Sequence, residues 1–76
     1  MKNFSVWVFD PLFCGFVSSN VDVYPTINDA ILAAQNALHQ GYAKRAKVKE
    51  NLTDCTYVTL CEFRLFRGKI KQVFNA

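Results

Sequence analysis

The chain is expected to form one α+β domain over residues 1–76: a ββαβββ unit with a mainly antiparallel sheet of spatial order 2-1-3-4-5 and one helix packed on one face. Three observations lead there. Phe4 to Phe9 is apolar at every position except Ser5, the pattern of a strand buried on both faces. Residues 26–41 carry apolar side chains at helical spacing between an N-terminal cap and a glycine. Four further segments rich in β-forming residues are separated by turn residues.

The first strand stops at Asp10-Pro11, because Pro11 lacks a donor for the ladder. Leu12-Phe13-Cys14-Gly15 then connects it to a second strand, expected over Phe16 to Tyr24. There Val17, Val21 and Val23 share one parity, while Ser18, Asn20 and Asp22 take the other, which suits a half-exposed sheet edge. Tyr24-Pro25 ends it. Thr26 reads as a helix N-cap with Asp29 three residues on, an [ST]-x-x-[DE] start signal. Ile27, Ala30, Ile31, Ala34, Ala37 and Leu38 line one helical face, and Gly41 supplies the left-handed cap near Gln40.

Tyr42 to Glu50 reads as a third strand with Ala46 and Val48 on one face and Arg45, Lys47 and Lys49 on the other. Asn51 to Asp54 is a polar turn, Cys55 to Phe66 is the longest strand, and Arg67-Gly68 leads into a short strand from Lys69 to Phe74. A helix of about 14 residues is roughly 21 Å long and carries the chain back across the sheet. Strand 3 therefore runs parallel to strand 2, and placing strand 1 between them makes every neighbouring pair antiparallel.

A chain of 76 residues lies near the lower limit at which burial alone supports a fold. Just over half of its residues are apolar and a fifth are charged, a composition of compact rather than disordered proteins. No apolar run approaches the roughly 20 residues that span a bilayer, and the first residues lack a secretory pattern. Three cysteines cannot all pair within one chain, and Cys55 and Cys61 on one extended strand would lie about 20 Å apart. Reduced thiols, a cytoplasmic location and no membrane partner are the expectation. Asn51-Leu52-Thr53 matches a glycosylation triplet that such a location leaves unused.

Charge is distributed unevenly. Residues 1–43 set Lys2 against Asp10, Asp22 and Asp29, while residues 44–76 set eight basic groups against Glu50, Asp54 and Glu62, so the halves carry −2 and +5. Such a field concentrates anionic partners without specifying chemistry. Arg45, Lys47 and Lys49, alternate on a strand, present three cations in a row about 6.6 Å apart, and Arg64, Arg67, Lys69 and Lys71 extend the row into a patch. The patch serves either phosphates or an acidic protein face, or else is a solvated edge whose charges deter aggregation. Trp7 and Phe9 share the face of strand 1 opposite Phe4, Val6 and Val8. With Tyr57 they either stack on bases or pack against a partner from the open sheet face, or simply complete the core. Leu12 and Phe13 are unusually apolar for a turn, which makes Phe13 a candidate anchor.

Catalysis, cofactors and metals find little support. His39, the only histidine, suits the last helical turn, and neither a Cys14–His39 pair nor Cys55, Cys61 and His39 has the partners or spacing of a nucleophilic or zinc site. The three glycines, Gly15, Gly41 and Gly68, fall at turns or caps and form no phosphate loop.

The run Val21-Asp22-Val23-Tyr24, then Thr26, Asp29-Ala30 and Ala34 in a helix, and a return strand after Gly41-Tyr42, resembles small phage-encoded inhibitors, among them compact anti-CRISPR proteins and the host RNA polymerase inhibitor of T7-like phages. The resemblance covers about a third of the chain and carries across no site residue. It implies a non-enzymatic protein that blocks a host nucleoprotein machine by occupying a surface. The expected function is thus binding of an acidic host protein or nucleoprotein complex in the host cytoplasm. The electrostatic contacts are Arg45, Lys47, Lys49, Arg64, Arg67, Lys69 and Lys71, with Trp7 and Phe13 as apolar anchors. Reversing Arg45, Lys47 and Lys49 together is expected to abolish binding without unfolding. Direct nucleic-acid binding by the same patch and a homodimerising accessory module are the alternatives.

Overall fold

The computed structural model describes residues 3–18, 23–52 and 56–75 and has the expected α+β architecture. Its elements are β1 (Asn3–Asp10), β2 (Gly15–Ser18), α1 (Ile27–His39), β3 (Arg45–Asn51), β4 (Tyr57–Phe66) and β5 (Lys69–Asn75). They form one five-stranded sheet of order β2-β1-β3-β4-β5, and every neighbouring pair is antiparallel.

The helix boundaries follow from local chemistry. Thr26 takes an extended conformation and its Oγ1 accepts the Asp29 N–H at 3.2 Å, satisfying one of the amides that the first turn leaves without a partner. At the other end Gly41 has φ +79°, its N–H donates to the Leu38 carbonyl and the Tyr42 N–H donates to the Ala37 carbonyl. That pair of bonds is the Schellman arrangement, and it needs the left-handed residue that glycine supplies without steric cost.

One face of the helix closes the core. Ala30, Ala34 and Leu38 are buried against Phe4 of β1, Ala46 and Val48 of β3, and Cys61 and Phe63 of β4. The three small or slender side chains on the helix let it sit close over the sheet, and β1 and β3 take most of its contact. Val6 faces Val48 and Val8 faces Ala46 across the β1–β3 ladder, while Ala46 and Val48 meet Phe63 and Cys61 across the next. The apolar parity of each strand thus lies under the helix, and the opposite parity forms an open face. Burial pushes the Cys61 thiol up from its ordinary value, against a smaller lowering by its backbone hydrogen bond with Val48. Cys14 is exposed in the β1–β2 turn, and both thiols are free.

Three strands depart from the sequence reading. β2 is described over Gly15–Ser18, and at the far end of the segment expected for it Val23 lies outside any strand and Tyr24 meets Phe4 in an isolated antiparallel bridge. Between the Trp7–Ser18 and Phe4–Tyr24 pairs β1 advances three residues while the other segment advances six, so one continuous ladder cannot hold both. Residues 19–22, where that expected strand continued, lie outside the described residues. β3 starts at Arg45 rather than Tyr42, because Tyr42 is taken up by the helix cap and Ala43 by the core. β4 begins at Tyr57, and Cys55 lies outside the described residues. Asn51, expected in a turn, is the last residue of β3.

The β4–β5 hairpin turns on Arg67 (φ +51°) and Gly68 (φ +78°), a two-residue turn with both central residues left-handed, the handedness that matches strand twist. A Cβ at residue 68 would meet no atom within 4 Å, so Gly68→Ala is expected to cost only its backbone strain, about 1–2 kcal/mol. Leu38→Ala, at a side chain 1 % exposed, is expected to cost about 2–5 kcal/mol. Against a total of about 4–11 kcal/mol for a domain of this length, that is a large share. Urea titration followed by circular dichroism measures both, and a Leu38→Ala loss no larger than that of Gly68→Ala would contradict the placement of the core.

Candidate functional site

The open face is built in rows across the sheet. One row runs Phe16, Phe9, Arg45, Arg64, Lys71, the next runs Ser18, Trp7, Lys47, Glu62, Phe74, and a third holds Ser5, Lys49 and Thr59. The aromatic side chains of β1 and β2 therefore abut the cations of β3, which in turn abut those of β4 and β5. Trp7 and Phe9 do lie on this face.

Glu62 holds the face together. It is the one acidic residue on the open parity of the described strands, and its side chain is only 10 % exposed. Arg45 donates to its Oε2 from Nε (3.3 Å) and Nη2 (3.2 Å), Arg64 donates to the same oxygen from Nε (3.1 Å), and the Lys47 ammonium lies 4.0 Å from Oε1. Burial works most strongly against its ionisation, but the hydrogen bonds from Arg64 and Arg45 and the charges of Arg45 and Lys47 outweigh it and hold the carboxyl below its ordinary value. The sequence reading grouped these cations as free contacts and missed Glu62 as their common partner. The cross-strand pair Lys47–Glu62 inside the Arg45–Arg64 pair was the available signal, legible once the register is known.

Two of these cations, Arg45 and Lys47, together with Lys49 cover the rings. Lys49 Nζ lies 4.3 Å from the Trp7 ring centre, Lys47 Nζ 4.1 Å from that of Phe16, and the Arg45 guanidinium 5.0 and 5.3 Å from Phe16 and Phe9. Trp7 and Tyr57 meet edge to face at 5.1 Å, as do Phe9 and Phe16 at 5.5 Å. Burial, and secondarily the charge of Lys47, lowers the Lys49 pKa from its ordinary value. Ser5, the one polar residue in the apolar run of β1, is buried; its Oγ accepts the Trp7 indole N–H at 2.9 Å and donates to Asn51 Oδ1 at 2.9 Å. That relay fixes the indole plane under Lys49. Phe16 and Asn51 are the further members that sequence reasoning did not single out.

Arg67 and Lys71 each lie 5.4 Å from the Phe66 ring centre at the hairpin end, and Lys69 pairs with Phe66 across the ladder. Phe13 is not part of the face: it sits at the tip of the β1–β2 turn, 73 % exposed, beside Leu12 at 96 %. The turn is set by Pro11 and by the Asp10 carboxylate, which accepts the Leu12 N–H at 2.9 Å, so the apolar pair is presented outward by a structured loop.

A cleft of about 440 Å³ opens at the same end of the sheet as both hairpin turns, between the start of β3, the end of β4 and β5. Another cavity, of about 390 Å³, lies between α1 and β1, lined by Val6, Val8, Tyr24 and Ala37, with no charged residue in its wall. Among the described residues no group of three His, Cys, Asp or Glu side chains comes together in a way that could hold a metal. Cys14 directs its thiol to the Pro11 carbonyl at 3.5 Å, and His39 is exposed in the last helical turn. No described helix is long and apolar enough to cross a membrane. Comparison with protein-family models, curated proteins and solved structures finds no match.

Because Glu62 titrates below its ordinary value of 4.5 in the fold, its contribution to stability is fully present above that pH. It is lost as the pH falls through the lowered folded value. Glu62→Gln is expected to cost roughly 1–2 kcal/mol at neutral pH, since the released arginines are partly hydrated, and to flatten the acid limb of a plot of stability against pH. Denaturant titrations between neutrality and the acid limb measure this, and an unchanged acid limb in the variant would contradict the role of Glu62.

Proposed function

We propose that the chain is a small non-enzymatic binding protein that acts in the cytoplasm and engages an acidic protein, or the protein part of a nucleoprotein complex, through the open sheet face. This is the mode of action implied by its resemblance to phage-encoded inhibitors, and the partner is then a host component. The observation that carries it is the cation cover over the aromatic rings: Lys49 on Trp7, Lys47 on Phe16 and Arg45 on Phe16 and Phe9. Ammonium and guanidinium groups held over rings are positioned before any partner arrives, which reduces the ordering cost of binding carboxylates. An incoming carboxylate surface meets those cations where they lie.

Direct nucleic-acid binding is the second reading, and the interleaving of rings with cations favours it. The same cation cover weighs against it, because a base that stacks on Trp7 or Phe16 must first displace Lys49 or Lys47 from the ring.

The original expectation that Arg45, Lys47 and Lys49 can be reversed together without unfolding is revised by Glu62. Reversing the first two places new carboxylates beside a buried one and costs stability. The informative variant is Lys49→Glu with Lys69→Glu, which leaves every ion pair of Glu62 in place. Partner retention on the tagged protein from nuclease-treated bacterial lysate is expected to fall about tenfold or more, the effect of removing complementary charge at an interface. Full retention of a nuclease-resistant partner by the folded double variant would overturn the assignment. Retained material that disappears with nuclease, with a steep dependence on salt, would move the assignment to nucleic acid.

A further inference from the structure

The cleft at the hairpin end has a wall chemistry distinct from the rest of the face. Its charged lining is Lys44, Arg45, Arg64 and Lys71, with no carboxylate among its lining residues. Its apolar lining is Leu65, Phe66 and Val73. A volume of about 440 Å³ falls within the range of roughly 300–1,000 Å³ typical of ligand sites.

Several independent features build this cleft rather than leave it as a chance hollow. Arg45, Arg64 and Lys71 stand side by side on three adjacent strands, and the Lys44 carbonyl accepts the Leu65 N–H at 2.8 Å, tying the approach to β3 to the end of β4. Glu62 fixes both guanidiniums by using two N–H donors of Arg45 and one of Arg64, out of five on each. The β4–β5 register shifts between the Glu62–Phe74 and Phe63–Gln72 pairs, leaving Val73 as the extra residue of a bulge, and its side chain lines the cleft. Bulges of this kind commonly re-aim a side chain beside a site.

Resting on the reading of this face as a docking surface, we infer that the cleft takes a short acidic segment of the partner that carries a large apolar side chain between carboxylates. The apolar side chain packs on Phe66 and Val73, beside the backbone of Leu65, whose own side chain turns toward the core, and its flanking carboxylates meet Lys44 and Lys71, with further donors from the two arginines. A simple anion satisfies the cations and leaves the apolar wall wet. A neutral peptide satisfies the wall and leaves the cleft with more cations than the single carboxylate of Glu62 balances. Among the described residues β5 pairs only with β4, so its outer backbone edge stands beside the cleft for an extended segment to follow. A second copy of this chain is a poor occupant of that edge, because Lys69 and Lys71 on β5 and a net charge of +3 make the approach of two copies repulsive.

The test is a titration of the ¹⁵N-labelled protein with a blocked hexapeptide in which four acidic residues flank a central Leu-Phe pair. Parallel titrations use the same peptide with a central Ala-Ala pair, the same peptide with amides in place of the acids, and a ten-nucleotide oligothymidylate. Saturable shifts centred on Leu65, Phe66, Lys71 and Val73 are expected, with affinity lower by about tenfold for the Ala-Ala peptide and for the amide peptide. Lys44→Glu with Lys71→Glu is expected to weaken binding by about tenfold or more. Both side chains are exposed, and the paired alanine variant repeats the test should the reversal disturb the amide spectrum. Equal affinity for the Leu-Phe and Ala-Ala peptides would overturn the inference, as would tighter binding of the oligothymidylate at these residues. Shifts centred on Trp7 and Lys49 with the cleft silent would overturn the cleft and leave the docking face standing. No shifts with any peptide, together with full partner retention by the Lys49→Glu and Lys69→Glu variant, would remove both.

Discussion

Three cations of two neighbouring strands converge on Glu62, and the open face takes its form from that cluster. Without it, Arg45, Lys47 and Arg64 would repel one another across the β3–β4 ladder, where like charges directly opposite are destabilising. With it, the Arg45–Arg64 pair becomes a bridge through one carboxylate, and the guanidinium of Arg45 is also placed over Phe9 and Phe16. A buried carboxylate is costly to desolvate, and here Oε2 accepts three hydrogen bonds from the two arginines while Oε1 faces the Lys47 ammonium. The cluster is thus a local constraint that fixes the directions of charges several residues away.

A second constraint is the ratio of helix to sheet. One helix of thirteen residues covers one face of five strands, and a chain of this size has nothing else among its described elements to cover the other. The open face is covered instead by its own long side chains: the ammonium groups of Lys47 and Lys49 and the guanidinium of Arg45 lie over the rings. This cover shields Trp7, Phe9 and Phe16 from bulk solvent while leaving a surface of positive charge. The same device that makes the uncovered sheet face tolerable in water is what the proposed acidic partner would meet. At the hairpin end the cover is incomplete: Phe66 is 56 % exposed and Val73 48 %, and the cleft forms there.

Much of the fold was legible because its signals are local. Thr26, Asp29 and Gly41 mark the helix ends within a residue, the doubly apolar run of β1 places it inside the sheet, and the helix length sets the return of β3, so the order 2-1-3-4-5 follows. What was not legible depends on pairing between distant segments. The alternation of Val17, Val21 and Val23 suggested a β2 in one register as far as Tyr24, but Tyr24 meets Phe4 out of the register that the Trp7–Ser18 pair sets. The bulges opposite Val48–Lys49 and Glu62–Phe63 left no mark in the sequence, and they decide where Leu60 and Val73 point. For the surface, the row Arg45, Lys47, Lys49 was readable from parity, and Trp7 and Phe9 were correctly paired on one face. The role of Glu62 and the position of Phe16 under two cations required the β3–β4 and β1–β2 registers.

The central claim is that carboxylates of one partner protein meet the lysines of the open face. It is tested most directly by zero-length carbodiimide coupling, which joins an amine to a carboxylate only when the two are in contact, applied to the tagged protein in nuclease-treated bacterial lysate and mapped by mass spectrometry. Links from Lys49, Lys69 or Lys71 to Asp or Glu residues clustered on a single protein are expected. Adducts that form only at Lys2, or none at all while nucleic acid co-purifies before nuclease treatment, would contradict it.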